Sequence, residues 1–203
     1  MHSSWHVRRI RVLRLPTIVC AVTVGLAVAG CGGSSKSGST TTTSSATGAA
    51  SGTVSGRDGG FTTVIPTGFV NGLAALSGGP ITLQYAALAP RVDGFRPNIN
   101  VVRESAHGLS DAGSIANREI TGVKTVAPQA HGFSAVRTLT LDGAPARGVD
   151  YLNRPTGGPL LHQYQVFALH ANMVYTVTYT ALSSRYQTTL AGMQRVLAAW
   201  RWK

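Results

Sequence analysis

The chain has 203 residues, 18 Lys and Arg against 7 Asp and Glu, and a formal net charge of +11. That length suits one domain with a core of its own once targeting and linker segments are set apart. Its 2 cysteines, Cys20 and Cys31, are too few for a disulfide framework or a Cys-rich metal centre.

Arg8, Arg9, Arg11 and Arg14 give a positive front to the chain, with no acidic residue among the first thirty. An apolar run from Thr17 to Ala29 follows. It falls short of the ~20 residues that span a hydrocarbon core. Basic front, short apolar centre and small residues at its end together describe a secretory signal. Val28-Ala29-Gly30-Cys31 looks like a bacterial lipobox, with cleavage between Gly30 and Cys31 and lipid on the new N-terminal sulfur. Small side chains there let a peptidase grip the extended backbone. A chain that carries two or three acyl groups is held stably in a bilayer, whereas one acyl group binds reversibly. Arg8-Arg9 also raises twin-arginine export, though the flanking residues fit it poorly. An ordinary secretory signal or an uncleaved anchor is the alternative reading of the whole segment.

On this reading residues 1–30 are a lipoprotein signal peptide, and Cys20 leaves with it. Cys31 remains, its sulfur occupied, so thiol catalysis and a disulfide are both excluded. The net charge drops from +11 to about +7 without the four leader arginines. Residues 31–56 are almost entirely Gly, Ser, Thr and Ala, with too little apolar surface to offset the entropy of ordering. A disordered linker of that length has an r.m.s. span of roughly 25–30 Å.

Residues 57–203 read as one domain. Phe61 to Ile65 is a β-rich run stopped by Pro66. Ile81 to Leu88, between Gly78-Gly79-Pro80 and Pro90, reads as a strand, and so does Asn98 to Glu104. Asp111 opens a helix with Ala112, Ile115, Ala116, Ile120 and Val123 at helical spacing, although Gly113 weakens it. Val136 to Leu141, the turn Asp142-Gly143 and Ala146 to Asn153 form a hairpin. Leu160 to His170 and Met173 to Thr180 form another around Ala171-Asn172. In its second strand Met173, Tyr175, Val177 and Tyr179 share one face, and Thr176, Thr178 and Thr180 the other. A last helix begins at Ser184, where Ser184-Arg185-Tyr186-Gln187 fits a capping box. Its stripe of Tyr186, Leu190, Met193, Leu197 and Trp200 should pack across the sheet. Antiparallel strands followed by an amphipathic helix make an α+β domain, a central antiparallel sheet flanked by helices.

The order of these segments resembles the PsbP-like fold, shared by photosystem extrinsic proteins and by actinobacterial lipoproteins of the LpqN type. Pro97-Asn98-Ile99-Asn100 and the Tyr175–Thr180 strand with its following helix carry most of the resemblance. It implies a sheet flanked by helices and mostly non-enzymatic roles in binding or assembly. It supplies no shared catalytic set.

The residues themselves offer little catalysis. His162 and His170 have the same parity on one strand but lie roughly 26 Å apart at ~3.3 Å per residue, too far to share a metal. His107 near Asp111, and His131 beside Gly132, fit connections. No HExxH or GxSxG motif is present. The paired glycines at 59–60, 78–79 and 157–158 lack a Walker lysine and read as turns. Paired carboxylates could come only from Asp150 with Asp142, or from Glu104 with Asp111 or Glu119. Tyr164, Tyr175, Tyr179, Tyr186, Trp200 and Trp202 could line a cleft, but core packing is the default for such a set.

The expectation is therefore a protein held on the extracytoplasmic face of the cell membrane by lipid at Cys31. No cofactor and no nucleic acid are called for, because the arginines form no cluster interleaved with aromatics. The expected partners are an envelope protein, a lipid or an anionic wall polymer. Alternatives are an envelope hydrolase, in which Ser, Asp or Glu meets one of His107, His131, His162 or His170, and a purely structural assembly factor.

Overall fold

The computed structural model describes residues 52–203. Cleavage at Gly30 and Cys31, the signal peptide of 1–30 and the linker up to residue 51 lie outside the described residues.

Two hairpins set the frame, because each turn has the left-handed backbone that a tight two-residue connection needs. Asp142 and Gly143 take φ of 46° and 81°, and Ala171 and Asn172 take 48° and 60°. The first turn joins β6 (Arg137–Leu141) to β7 (Ala144–Asn153). The second joins β8 (Leu161–His170) to β9 (Met173–Leu182). Earlier strands β3 (Val70–Asn71), β4 (Leu83–Leu88) and β5 (Asn98–Ser105) complete an antiparallel sheet in the order β3-β4-β5-β9-β8-β7-β6. The C-terminal hairpin thus docks its β9 edge on β5, with Val101 opposite Val177.

Both faces of this sheet are covered, so its central strands are buried throughout. On one face lies α3 (Tyr186–Ala198), whose Tyr186, Met193 and Val196 pack with Ile99, Val101, Val166, Val177 and Tyr179. The stripe expected from the sequence is present, with Leu190 and Leu197 at its margin. The capping box is not. Ser184 sits inside a 3₁₀ turn (Ser183–Arg185), and the helix starts after it with no side-chain cap on its N-terminus. The Ser183 N–H donates to Leu160 O, which fixes the turn that precedes the helix.

The same face carries a small second sheet of β1 (Thr53–Ser55), β2 (Phe61–Val64) and β10 (Arg201–Trp202). Strand β1 falls within the segment assigned by composition to the linker. Its Thr and Ser offer little to bury, but its backbone pairs with Thr62, Thr63 and Val64. Phe61 stacks on Trp200 with ring centroids 3.9 Å apart, which joins the small sheet to α3.

On the opposite face lie α1 (Leu73–Leu76) and α2 (Ala112–Val126). Asp111 caps α2 as its position suggests, accepting from the Ser114 N–H at 2.8 Å. Ile115 and Ala116 of α2 bury against Val149, Phe167 and Val174, while Leu73 and Leu76 of α1 pack near Ala86 and Val102. Among the described residues no helix is long and apolar enough to cross a membrane.

Candidate functional site

Three strands share one local pattern: Asn98-Ile99-Asn100 in β5, Gln163-Tyr164-Gln165 in β8 and Thr178-Tyr179-Thr180 in β9. Alternation of this kind ordinarily turns the polar positions to water. Here register and packing do the opposite. Asn98 lies opposite Thr180, Thr180 opposite Gln163, and Gln163 opposite Tyr151. One step along, Asn100 lies opposite Thr178 and Thr178 opposite Gln165. The result is one row of neutral polar side chains across four strands and a second across three, on the face that carries α1 and α2. Their exposure runs from 0% at Gln163 to 8% at Asn98.

The layer does not satisfy itself. Gln163 Nε2 donates to Thr180 Oγ1 at 3.2 Å and Gln165 Nε2 to Thr178 Oγ1 at 3.3 Å. Asn100 Nδ2 reaches Asn98 Oδ1 at 3.3 Å, and Asn153 Nδ2 reaches Gln163 Oε1 at 3.5 Å. All four exceed the ~2.9–3.0 Å of an ordinary N–H···O bond. The Gln165 and Asn153 side-chain carbonyls and the Tyr151 hydroxyl are buried with no partner among the described residues. Each such group costs about 1–3 kcal/mol of stability. Burial also drives the Tyr151 hydroxyl far above its usual pKa, so it stays protonated and able to donate. Its ring stacks on Phe133, with centroids 5.0 Å apart.

A second cluster lies on the α3 face. The Asp150 carboxylate accepts from Tyr186 and pairs with Arg137, and His162 Nε2 lies 3.4 Å from its Oδ1. Burial raises this carboxyl, but the hydrogen bonds from His162 and Tyr186 and the charge of Arg137 outweigh it and hold it below its usual pKa. His162 stacks on Tyr186 with centroids 3.5 Å apart, and Arg137 lies over the Tyr164 ring. A hydrolase needs a nucleophile on the far side of its histidine. Among the described residues no hydroxyl hydrogen-bonds His162, and Tyr186 is bound to the carboxylate instead. The cluster ties β6, β7, β8 and α3 together.

The remaining candidates separate. His170 stacks on Trp202 at the other end of β8, His131 pairs through its backbone with Leu152, and His107 occupies a turn with φ of 49°. Asp142 accepts from the Trp202 N–H, away from Asp150. Glu104 and Glu119 do converge, on the Arg118 Nη2 at 2.6 and 2.7 Å. Burial first, then the Glu119 charge, push the Glu104 carboxyl up to about 7. Among the described residues no three His, Cys, Asp or Glu converge as a metal site would require. The six aromatics that could have lined a cleft all belong to the core or pack against it. The polar layer escaped the sequence reading because an N-x-N, Q-x-Q or T-x-T strand looks solvated. The signal was the recurrence of that triplet in three strands whose pairing then superposes them.

No family model and no curated protein matches the chain. Among solved structures, cyanobacterial PsbP (CyanoP) from Synechocystis sp. PCC 6803 superposes with a TM-score of 0.56 at 15% identity, over 78% of this chain and 96% of that one. The fold is PsbP-like. LpqN, involved in cell envelope biogenesis of Mycobacterium tuberculosis, superposes at 0.52 and 15% identity, covering 74% of this chain and 89% of its own. At these identities the likeness is one of PsbP-like architecture, an antiparallel sheet between helices.

Proposed function

We propose that this protein is an exported lipoprotein of the cell envelope, anchored by lipid at Cys31, whose PsbP-like domain binds a ligand without transforming it. The buried, incompletely satisfied polar layer carries the reading. A domain selected for packing alone loses stability there, whereas a binding site needs hydrogen-bonding groups left free to meet a ligand. The involvement of LpqN in envelope biogenesis and the lipobox residues Val28 to Cys31 support the same location, the extracytoplasmic face of the membrane. An actinobacterial source accords with the Arg-, Ala- and Gly-rich composition.

Native mass spectrometry of the full-length protein extracted from its own membranes tests both halves. The expected result is an acylated N-terminal Cys31 together with a retained small molecule that Gln165→Met reduces. A folded protein that carries nothing, in wild type and variant alike, overturns the binding role. A mature N-terminus elsewhere overturns the anchor, as would a Cys31→Ser protein that still sediments fully with membranes.

A further inference from the structure

We infer that one end of the domain, formed by the β4–β5 loop, the β7–β8 loop and the turn between β9 and α3, docks on an anionic phospholipid bilayer. This rests on the anchor at Cys31 and not on a ligand of the polar layer. Three observations point to such a partner. First, charge is unevenly placed along the strands. At this end Arg91, Arg96, Arg154 and Arg185 are accompanied by one carboxylate, Asp93. At the opposite end Arg57, Arg201 and Lys203 are balanced by Asp58, Asp111 and Asp142. Register brings the basic loops together, because β5, β9, β8 and β7 are neighbours in that order. Asn98 lies opposite Thr180, Leu182 opposite Leu161, and Leu161 opposite Asn153. Arg185 pairs with Asp93 at 3.1 Å. Among the described residues no carboxylate pairs with Arg91, Arg96 or Arg154.

Second, exposed apolar side chains stand at the same end. Val70 and Val126 are each 53% exposed. Val70 pairs with Leu88, the last residue of β4, and Val126 ends α2 shortly before His131 bridges to Leu152. Val92 and Phe95 are half-buried beside the Asp93-Gly94 turn of the β4–β5 loop. Arginines among apolar side chains suit a bilayer surface, where headgroups meet the charge and hydrocarbon meets the rest. A soluble polyanion would use the charge alone. Third, the chain enters the domain from this side. Strand β2 runs away from the Trp200 end of α3, since Phe61 stacks on Trp200 and Thr63 Oγ1 donates to Val196 O at 2.7 Å. It then continues through Phe69 into β3, while β1 lies antiparallel to it with Thr53 opposite Val64. The chain before Thr53 therefore leaves toward the basic loops. Residues 32–52 separate it from Cys31, and a Gly- and Ser-rich chain of that length spans ~25 Å on average. Each arginine beside an anionic surface raises the docked population about fivefold. Held within that reach, four of them suffice.

The test places the full-length acylated protein in vesicles of phosphatidylcholine alone and of phosphatidylcholine mixed with phosphatidylglycerol. A polarity-sensitive fluorophore on Thr156→Cys reports the β7–β8 loop, and one on Ser110→Cys reports the opposite end; both positions are exposed. On the mixed vesicles the label at 156 should shift to shorter wavelength and the label at 110 should not. Neither should shift on phosphatidylcholine alone, and added salt should reverse the shift. Arg91→Gln combined with Arg154→Gln removes two exposed charges that belong to no ion pair, and should cut the docked-to-undocked ratio about 25-fold. Equal shifts at both positions, equal shifts on both lipids, or no loss in the double variant overturns the assignment. So does the absence of a shift on mixed vesicles; a shift produced by soluble polyphosphate in its place would make the partner an anionic polymer. If the protein proves to carry no acyl group, flotation with the mixed vesicles separates the two readings. Salt-sensitive flotation then upholds the docking surface and rejects only the anchor, whereas no flotation rejects both.

Discussion

Tyr151 shows how stability and binding oppose each other at a single residue. Its ring packs against Phe133, but its hydroxyl is buried without a partner among the described residues. Removing an unsatisfied polar group while keeping the ring's shape relieves a desolvation cost. Tyr151→Phe should therefore leave the ligand-free domain as stable as wild type, or more stable by about 1 kcal/mol, in urea denaturation. A loss of that size would show that the hydroxyl has a partner, such as a buried water. Ala171 makes an independent case. Its φ of 48° in the β8–β9 turn is a region that costs an L-residue roughly 1–2 kcal/mol, and which asparagine tolerates better. Ala171→Asn should stabilise by about 0.5–1 kcal/mol and raise the midpoint of thermal unfolding by about 1–4 °C. An unchanged or lowered midpoint would mean that the turn is not held in this conformation.

At the scale of elements, stability depends on how a few side chains join strands to helices. Asp150 alone connects β7 to β6 through Arg137, to β8 through His162 and to α3 through Tyr186. Asp150→Asn keeps the shape and removes the charge that all three partners face. A loss of about 1–3 kcal/mol is expected, read as a lower urea midpoint with an unchanged slope. The variant should leave unchanged any small molecule that native mass spectrometry finds on the polar layer, because Asp150 faces α3 and the layer faces α2. How much of this was legible in the sequence follows from the range of the interactions involved. The strands and α2 were readable because alternation, the Asp142-Gly143 turn and the Asp111 cap act within a few residues. The two-residue β10 and the short β1 were not, since pairing with β2 from either end of the chain holds them in place. The start of α3 was misread because Ser184 joins a 3₁₀ turn fixed by Leu160, which lies far away in sequence. The polar layer needed the register of four strands at once. His162 with Asp150, and Glu104 with Glu119, could be named as pairs of suitable chemistry, but only the fold brought them into contact.

For the molecule as a whole, the balance of charge predicts how stability responds to acid. All seven carboxylates of the chain lie in the described domain. Six pair with arginines, and Asp111 caps α2 instead. Asp150 and the cap residue Asp111 are held below the usual carboxylate pKa, so the domain should weaken at strongly acidic pH as they protonate. Glu104 acts in the opposite sense. Its carboxyl moves from 4.5 to about 7 on folding, so the folded state binds the proton more tightly than the unfolded chain does. The resulting stabilisation is complete below the unfolded value and disappears as pH rises through the folded one. Between those two values the wild-type midpoint should fall with rising pH. Glu104→Gln is neutral throughout and still accepts from Arg118, which then pairs with Glu119 alone. Its thermal midpoint should be nearly flat across the same window and should exceed that of wild type at its upper end by about 2–4 °C, the shift that roughly 1 kcal/mol makes in a domain of this size. Parallel pH curves for the two proteins would show that Glu104 and Glu119 do not compete for Arg118 in solution.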